Sequence, residues 1–378
     1  VAPLEEIAKF LVGNERPCKI IDVQFIKQLD LKVISPLPDL IDMNFSNLNK
    51  ETYNLLDNLI QEHKTTLIFT NTRSGTERVV HHLKTRFPHK YKKIEEGPPV
   101  KIESLIGAHH GSLSKEHRFG IEEALRKGKL KACVSSTSLE LGIDIGYIDL
   151  VVCLGSPKSI ARLKQRTGRS VHQLHATTKG RIIVLDRDDL VECSVMLKDA
   201  VEHKIDKVHI PKNCLDVLCQ HIFGIALEEV IDIDELYKII TQSYSYKDLS
   251  KADFMNVIKY LSGDFSSLED RNVYAKIWFN DNKIGKRGKM ARVIYMTNIG
   301  TIPDESSVKV KIGDSLIGTI EEEFLEKLKP GDIFVLGGNT YQFLFSRGTV
   351  AQVSSAEGKR PTVPSWFSEM LPLSFDLA

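Results

Sequence analysis

Between residues 65 and 205 short apolar runs recur at regular intervals: TTLIFT, IESLIGA, LKACVSS, IDLVVCLG and RIIVLD, each followed by a helix-like amphipathic segment. That alternation predicts an α/β lobe built on a parallel sheet with helices on both faces. Two segments carry the pattern of a capping box directly after a strand, Ser74 with Glu77 and Thr137 with Glu140. Hydroxyl and carboxylate are expected there to satisfy the exposed N–H groups of a helix start. Helix N-termini at the carboxyl ends of strands are where open α/β sheets collect phosphate ligands.

At 378 residues the chain exceeds what one core usually organises, so further domains are expected. Over residues 206–297 the period changes. Leu215, Leu218, Ile222 and Ile225 fall at helical spacing, as do Leu236, Ile239 and Ile240, and then Phe254, Val257, Ile258 and Leu261. The alternation Val273, Ala275, Ile277, Phe279 follows; it is expected to turn through DNKIGKRGK and return as ARVIYMTN, a β-hairpin. Three helices and a basic hairpin predict a winged helix. From 298 the runs VKVKI, LIGTI, DIFVLG, TYQFLF and TVAQVS, with LGGNT as a hairpin turn, predict a small β-rich module.

Net charge is +1, so a polyanion site must show itself as a local cluster. One is present. From Asp149 to Asp186 no acid intervenes, yet the stretch holds Lys158, Arg162, Lys164, Arg166, Arg169, Lys179 and Arg181. Either this is a solvated cationic face or something anionic answers it. Arginine at 166 and 169 suits two-pronged contact with phosphate oxygens, and structural salt bridges are the other reading. Gly168 between them favours close approach of backbone to a ligand. His172 and His175 have metal-like spacing but no third ligand nearby, so no metal site is expected. The six cysteines are scattered without a CxxC pair, which fits a reducing compartment. No apolar stretch approaches the roughly 18 residues of a membrane span, and a cytoplasmic location without membrane contact is expected.

The strings IFTNTRSGTERV (68–80), HHGSLSKEHR (109–118), STSLELGIDIG (136–146) and QRTGRS (165–170), in this order on this α/β pattern, resemble the second RecA-like lobe of superfamily-two helicases. The continuation, through the winged helix and NIGTIPD, KPGDIFVLGG and PSWFSEMLPLS, resembles the Lhr-type (large helicase-related) helicases. The resemblance implies an ATP-dependent helicase moving 3′ to 5′ on single-stranded DNA or on a duplex with a 3′ tail. It implies that Gln165, Arg166 and Arg169 reach the ATP phosphates and that Gly142 and Asp144 join nucleotide sensing to strand grip. Thr137 would hold a backbone phosphate, with Asn71, Arg73, His110 and Gly111 lining the strand path. Val171 departs from the family's glycine, a change that disfavours positive φ.

No G-x-x-x-x-G-K-[ST] and no D-E-x-H or D-E-x-D run occurs in the sequence. ATP and Mg2+ are therefore expected to be held mainly by a first RecA-like lobe outside it, and VAPLEEIAKFL resembles the segment following that lobe's Ser-Ala-Thr motif. The expected divisions are 1–30 (a remnant of the first lobe and linker), 31–205 (second lobe), 206–297 (winged helix) and 298–378 (β-rich start of an accessory domain). Lys283, Lys286, Arg287, Lys289 and Arg292 gather around the wing with no acid after Asp281, which suits a nucleic-acid backbone or a merely soluble tip. Trp366 is a base-stacking candidate or a packing anchor, and Ile302 a wedge between bases or a core residue; the resemblance favours stacking for Trp366. Two other functional classes remain open at this level: a non-motor nucleic-acid-binding module, and a subunit supplying arginines in trans. An RNA substrate is also open.

Overall fold

A computed structural model describes residues 2–21, 28–95, 101–140, 145–170, 177–264, 275–300, 307–364 and 371–378. The chain divides into two compact units, one of residues 1–24 with 207–304, the other of 25–206 with 305–378. The stretch expected to be a first-lobe remnant holds α1 (Leu4–Val12), and residues 1–24 cluster with the winged unit rather than apart from it. Ala2 bridges to Lys207 and the Asn14 N–H donates to Gln242 O at 3.0 Å.

In the second unit, β1 (Leu29–Ile34), β2 (Thr66–Phe69), β5 (Ile106–His109), β6 (Ala132–Ser135), β7 (Leu150–Leu154) and β8 (Thr178–Ile183) form one sheet, all pairs parallel, in the order β1-β8-β7-β2-β6-β5. A small antiparallel hairpin, β3 (Lys92–Glu95) with β4 (Lys101–Ser104), splits the expected IESLIGA strand, and β5 begins after it. Successive side chains of a strand point to opposite faces, so each apolar run feeds two cores. Leu67, Phe69, Cys133, Val151, Cys153 and Ile182 share a core with residues of α5 (Ile160–Thr167) and α6 (Arg187–Val201). Ile68, Val134, Val152 and Ile183 meet α2 (Phe45–Glu62) and α3 (Arg73–Arg86) on the other face. The carboxyl ends of four strands lead to Asn71, His110, Thr137 and Ser156, so the topology alone gathers the expected site residues along one edge.

Gly180 in β8 fixes how α5 meets the sheet. A Cβ there would lie 2.6 Å from Thr167 Cγ2 and 2.7 Å from Leu31 Cδ2. Gly180→Ala is expected to cost about 1–3 kcal/mol by overpacking and to lift the helix end that carries Arg166. Thermal unfolding checks the cost, and an unchanged midpoint would mean that the helix end yields freely.

Neither capping box forms. Thr72, not Ser74, caps α3, accepting from Gly75 N at 2.9 Å, and the Glu77 carboxylate turns inward. At 137–140 the described residues form a turn, Glu140 N donating to Thr137 O at 3.0 Å, while the Glu140 carboxylate meets Arg166. Both glutamates are taken by partners distant in sequence, whose buried donors outweigh an exposed helix start.

The winged unit contains α7 (Leu215–Glu228), α8 (Ile233–Thr241) and α9 (Lys251–Ser262), with the short β9 (Ile231–Asp232) pairing the hairpin β10 (Ile277–Asn280) and β11 (Lys283–Lys286). The hairpin is shorter than the sequence suggests. Asp281 and Asn282 take φ of 47° and 60°, a two-residue turn with both residues left-handed, so KIGK is itself the return strand. ARVIYMT is instead helix Ala291–Thr297, whose Ala291 is buried and whose Tyr295 ring meets Phe223 edge-on at 5.6 Å.

The β-rich module has five strands, β12 (Ser307–Ile312), β13 (Ser315–Glu321), β14 (Ile333–Leu336), β15 (Asn339–Arg347) and β16 (Val350–Ser355), ordered β13-β12-β16-β15-β14. The expected LGGNT turn is present, with Gly337 and Gly338 at φ of 63° and 72°. Beyond it, Ser374 N donates to Lys158 O at 2.9 Å and Leu377 packs against the lobe's core, while Leu373 and Phe375 stay exposed. No helix among the described residues is long and apolar enough to cross a membrane.

Candidate nucleotide and nucleic-acid site

Ser159 starts α5 by accepting from Arg162 N at 3.0 Å, and the helix closes in a tight turn at Gly168–Ser170. Ser170 Oγ pins that turn to β8 by accepting from Lys179 N at 3.0 Å. Two arginines three residues apart thus leave one rigid helix end in different environments.

Arg166 has no exposed surface. Its Nε and Nη2 lie 2.7 and 2.6 Å from Glu140 Oε1, and Nη1 donates to Asn71 Oδ1 at 3.1 Å. The guanidinium carbon sits 5.2 Å from the Phe69 ring centroid. Asn71 is itself oriented by donating to Ser156 O at 2.8 Å. A buried charge needs such a set, because an uncompensated guanidinium in the interior is strongly destabilising.

Arg169 is half-buried and donates from Nε and Nη2 to the backbone carbonyl of Glu140 at 3.3 and 2.9 Å. Partial burial pulls its pKa below the ordinary arginine value, leaving it charged at any physiological pH. Gln165 and Gly168 beside it are exposed. Of the two, Arg169 alone keeps surface that an anion can reach. One residue, Glu140, therefore holds both arginines, by its carboxylate and by its carbonyl. Nothing in its local spacing announces this; the signal present in the sequence is an acid between Leu139 and Leu141, in the turn after a buried strand.

The cationic stretch is largely answered from inside the fold. Lys158 pairs with Glu192 at 2.8 Å and Asp189 at 3.5 Å, Arg162 lies 3.8 Å from Glu140, Lys179 pairs with Asp149 at 3.4 Å and Arg181 with Asp30 at 2.9 Å. The absence of local acids did not mean absence of partners, because parallel strands and α6 bring acids from outside the stretch.

Thr137 is exposed at the end of β6, three residues before Glu140. Arg73 Nη1 donates to Ser112 Oγ at 3.1 Å, next to exposed Gly111. His110 differs: it is fully buried, with Nε2 2.8 Å from Glu77 Oε1. Glu77, also without exposed surface, accepts from Gly337 N at 2.5 Å and Gly338 N at 2.8 Å. Burial by itself would raise the Glu77 pKa, but His110 and the two glycine N–H groups outweigh it and hold the carboxyl below the ordinary range. Lys286 and Arg287 are exposed on the wing, whereas Arg292 pairs with Glu228. Gly142, Asp144, Val171, His172, His175, Ile302 and Trp366 lie outside the described residues.

Residues 50–173 match the helicase conserved C-terminal domain, and 198–363 match the winged helix domain of large helicase-related protein. The ATP-dependent helicase Lhr-Core of Methanothermobacter thermautotrophicus is 56% identical over the whole chain, which spans 43% of that relative. Lhr-Core of Methanocaldococcus jannaschii is likewise 56% identical, with the same two shares. The chain thus spans less than half the length of these curated relatives. Among solved structures, Mycobacterium smegmatis helicase Lhr bound to ssDNA and AMP-PNP is 28% identical, with a TM-score of 0.71 over 90% of this chain and 42% of that one. With both domain models matched in order and whole-chain identity above half to named relatives, the chain belongs to the large helicase-related (Lhr) family of helicases.

Proposed function

We propose that this chain is the second RecA-like lobe, winged helix and accessory β-module of an ATP-dependent helicase that moves 3′ to 5′ along single-stranded DNA. The observation that carries the reading is Glu140, which ties the two arginines to the turn that begins at Thr137. ATP and Mg2+ belong mainly to a first lobe with a P-loop, and the nucleotide supplies phosphoryl transfer to water. Arg169 offers its guanidinium to the phosphates across the cleft, with Gln165 beside it; Arg166 holds the helix end and Asn71 in register. Thr137, Arg73 and Gly111 take backbone phosphates, and on the wing Lys286 and Arg287 offer cations of the same use. Such contact is independent of base sequence, as translocation requires. A threonine three residues from the arginine anchor lets a change in strand position alter where Arg169 points, which is the coupling a motor needs.

The 378-residue chain by itself is expected to hydrolyse ATP no faster than buffer, with or without single-stranded DNA, because positioning of nucleotide and metal is missing. Phosphate release assays check this. Clear DNA-stimulated turnover by the purified chain would overturn the division of labour between lobes.

A further inference from the structure

We propose that Glu77 is a positioning residue that makes the β-rich module one moving body with the second lobe, so that the module travels with the lobe along the strand. This rests on the helicase reading above. The attachment is built from three independent contacts. Glu77, on α3 of the lobe, accepts from the two successive N–H groups of the Gly337–Gly338 turn, both carried in left-handed backbone that presents them side by side. Lys84, two turns further along the same helix, donates from Nζ to Gly338 O at 2.9 Å. On the other side, the segment after β5 pairs like an extra strand with β13: Ser114 N donates to Ile317 O at 3.0 Å and Thr319 N to Ser112 O at 2.7 Å.

The fit leaves no slack. Leu113 of the lobe is buried in the module's own core. A Cβ on Gly318 would lie 2.5 Å from Ser112 O, and one on Gly338 2.8 Å from Val80 Cγ1. His110 completes the latch from the lobe side, and its neighbour Gly111 faces outward where the strand is proposed to run. One short segment, HHGSLS, therefore faces the strand with Gly111 while fastening the module through His110 and Ser112. A carboxylate with no access to water binds the module by charge-assisted bonds that water does not replace, so separation of the two bodies exposes three donors and a desolvated acid together.

In the full-length protein, Glu77→Gln keeps one acceptor oxygen and turns the other into a donor facing an N–H. Hydrogen exchange at the amides of Gly337 and Gly338 is expected to accelerate at least about tenfold, with β2, β6 and β7 unchanged. Duplex unwinding is expected to fall about tenfold or more while DNA-stimulated ATP hydrolysis stays within about threefold. A disulfide supplies the rescue: a Cβ on Gly338 lies 3.8 Å from Val80 Cβ, the usual separation across a cystine, Val80→Cys removes the Cγ1 that this Cβ would meet, and the strain of a side chain at φ 72° is shared by the oxidised and reduced forms being compared. Oxidised Val80→Cys/Gly338→Cys in the Glu77→Gln background is expected to restore unwinding, and reduction to remove it again.

The same cysteine pair with Glu77 intact tests the idea even where Glu77→Gln does not fold. Closing the staple is expected to leave unwinding unchanged, because the module is already fixed; loss of unwinding on oxidation would show that the module must move against the lobe and would overturn the proposal. So would Glu77→Gln that loses protection at the turn yet unwinds normally, or equal loss of hydrolysis and unwinding that the staple does not rescue. Failure of the helicase reading looks different: the unaltered protein would not unwind a duplex at all, while the exchange measurement would still report on the latch.

Discussion

Replacing Arg169 with alanine in the protein that carries both lobes is expected to lower ATP hydrolysis by about a thousandfold or more, the usual worth of an arginine that meets a transferring phosphoryl group. Affinity for single-stranded DNA is expected to stay within about twofold, because the residues proposed to meet the strand lie on other elements. The physical basis is the contrast between two neighbours. Arg166 is wholly enclosed by Glu140, Asn71 and Phe69, whereas Arg169 keeps surface and is steadied by a carbonyl. The effect should lie in kcat rather than in KM, since charge on the phosphoryl oxygens is answered most strongly in the transition state. Parallel steady-state kinetics and anisotropy titrations measure the two quantities. Loss of strand affinity in proportion to hydrolysis would make Arg169 a structural residue.

The second large effect is on stability. Glu140→Ala leaves the Arg166 guanidinium buried with one amide oxygen and a ring face, and breaking a buried pair in this way costs about 3–5 kcal/mol. Removing both charges is different. The double variant Glu140→Leu with Arg166→Met exchanges two desolvated ions for apolar volume and is expected to recover most of the loss. Denaturant unfolding, with hydrogen exchange on β2, β6 and β7 to assign it to the lobe, separates the two outcomes. A single-variant cost under about 1 kcal/mol would mean that water reaches the pair.

The lobe was legible because parallel strands covered on both faces read as unbroken apolar runs. TLIF, ACVS and LVVCL are buried along nearly their whole length. The three helices of the winged unit followed from the spacing of residues such as Leu218, Ile222, Phe254 and Ile258. What local pattern could not give was the destination of a buried acid. Glu77 and Glu140 both sit three residues after a hydroxyl, which is the spacing of a capping box, yet their partners lie 260 and 26 residues away. The wing misled for a related reason. Asp281 and Asn282 accept left-handed backbone more readily than other residues that carry a Cβ, so the hairpin closes two residues after Asn280, and ARVIYMT, alternating enough to pass for a strand, is released to pack as a helix. The seven-cation stretch overstated free charge because a linear sequence hides acids delivered by other elements. The two arginines read as one pair stand in different surroundings, Arg166 wholly enclosed and Arg169 half-buried.

Arg169 is proposed to answer charge developing on a nucleotide held by another lobe. The most direct measurement compares, in the full-length protein, the affinities of the unaltered form and Arg169→Lys for ADP and for ADP with aluminium fluoride, a mimic of the transferring phosphoryl group. The predicted result is a loss of at least about a hundredfold for the mimic and less than about threefold for ADP. Equal losses for both ligands, or no loss for either, would mean that Arg169 does not meet the transferring phosphoryl group.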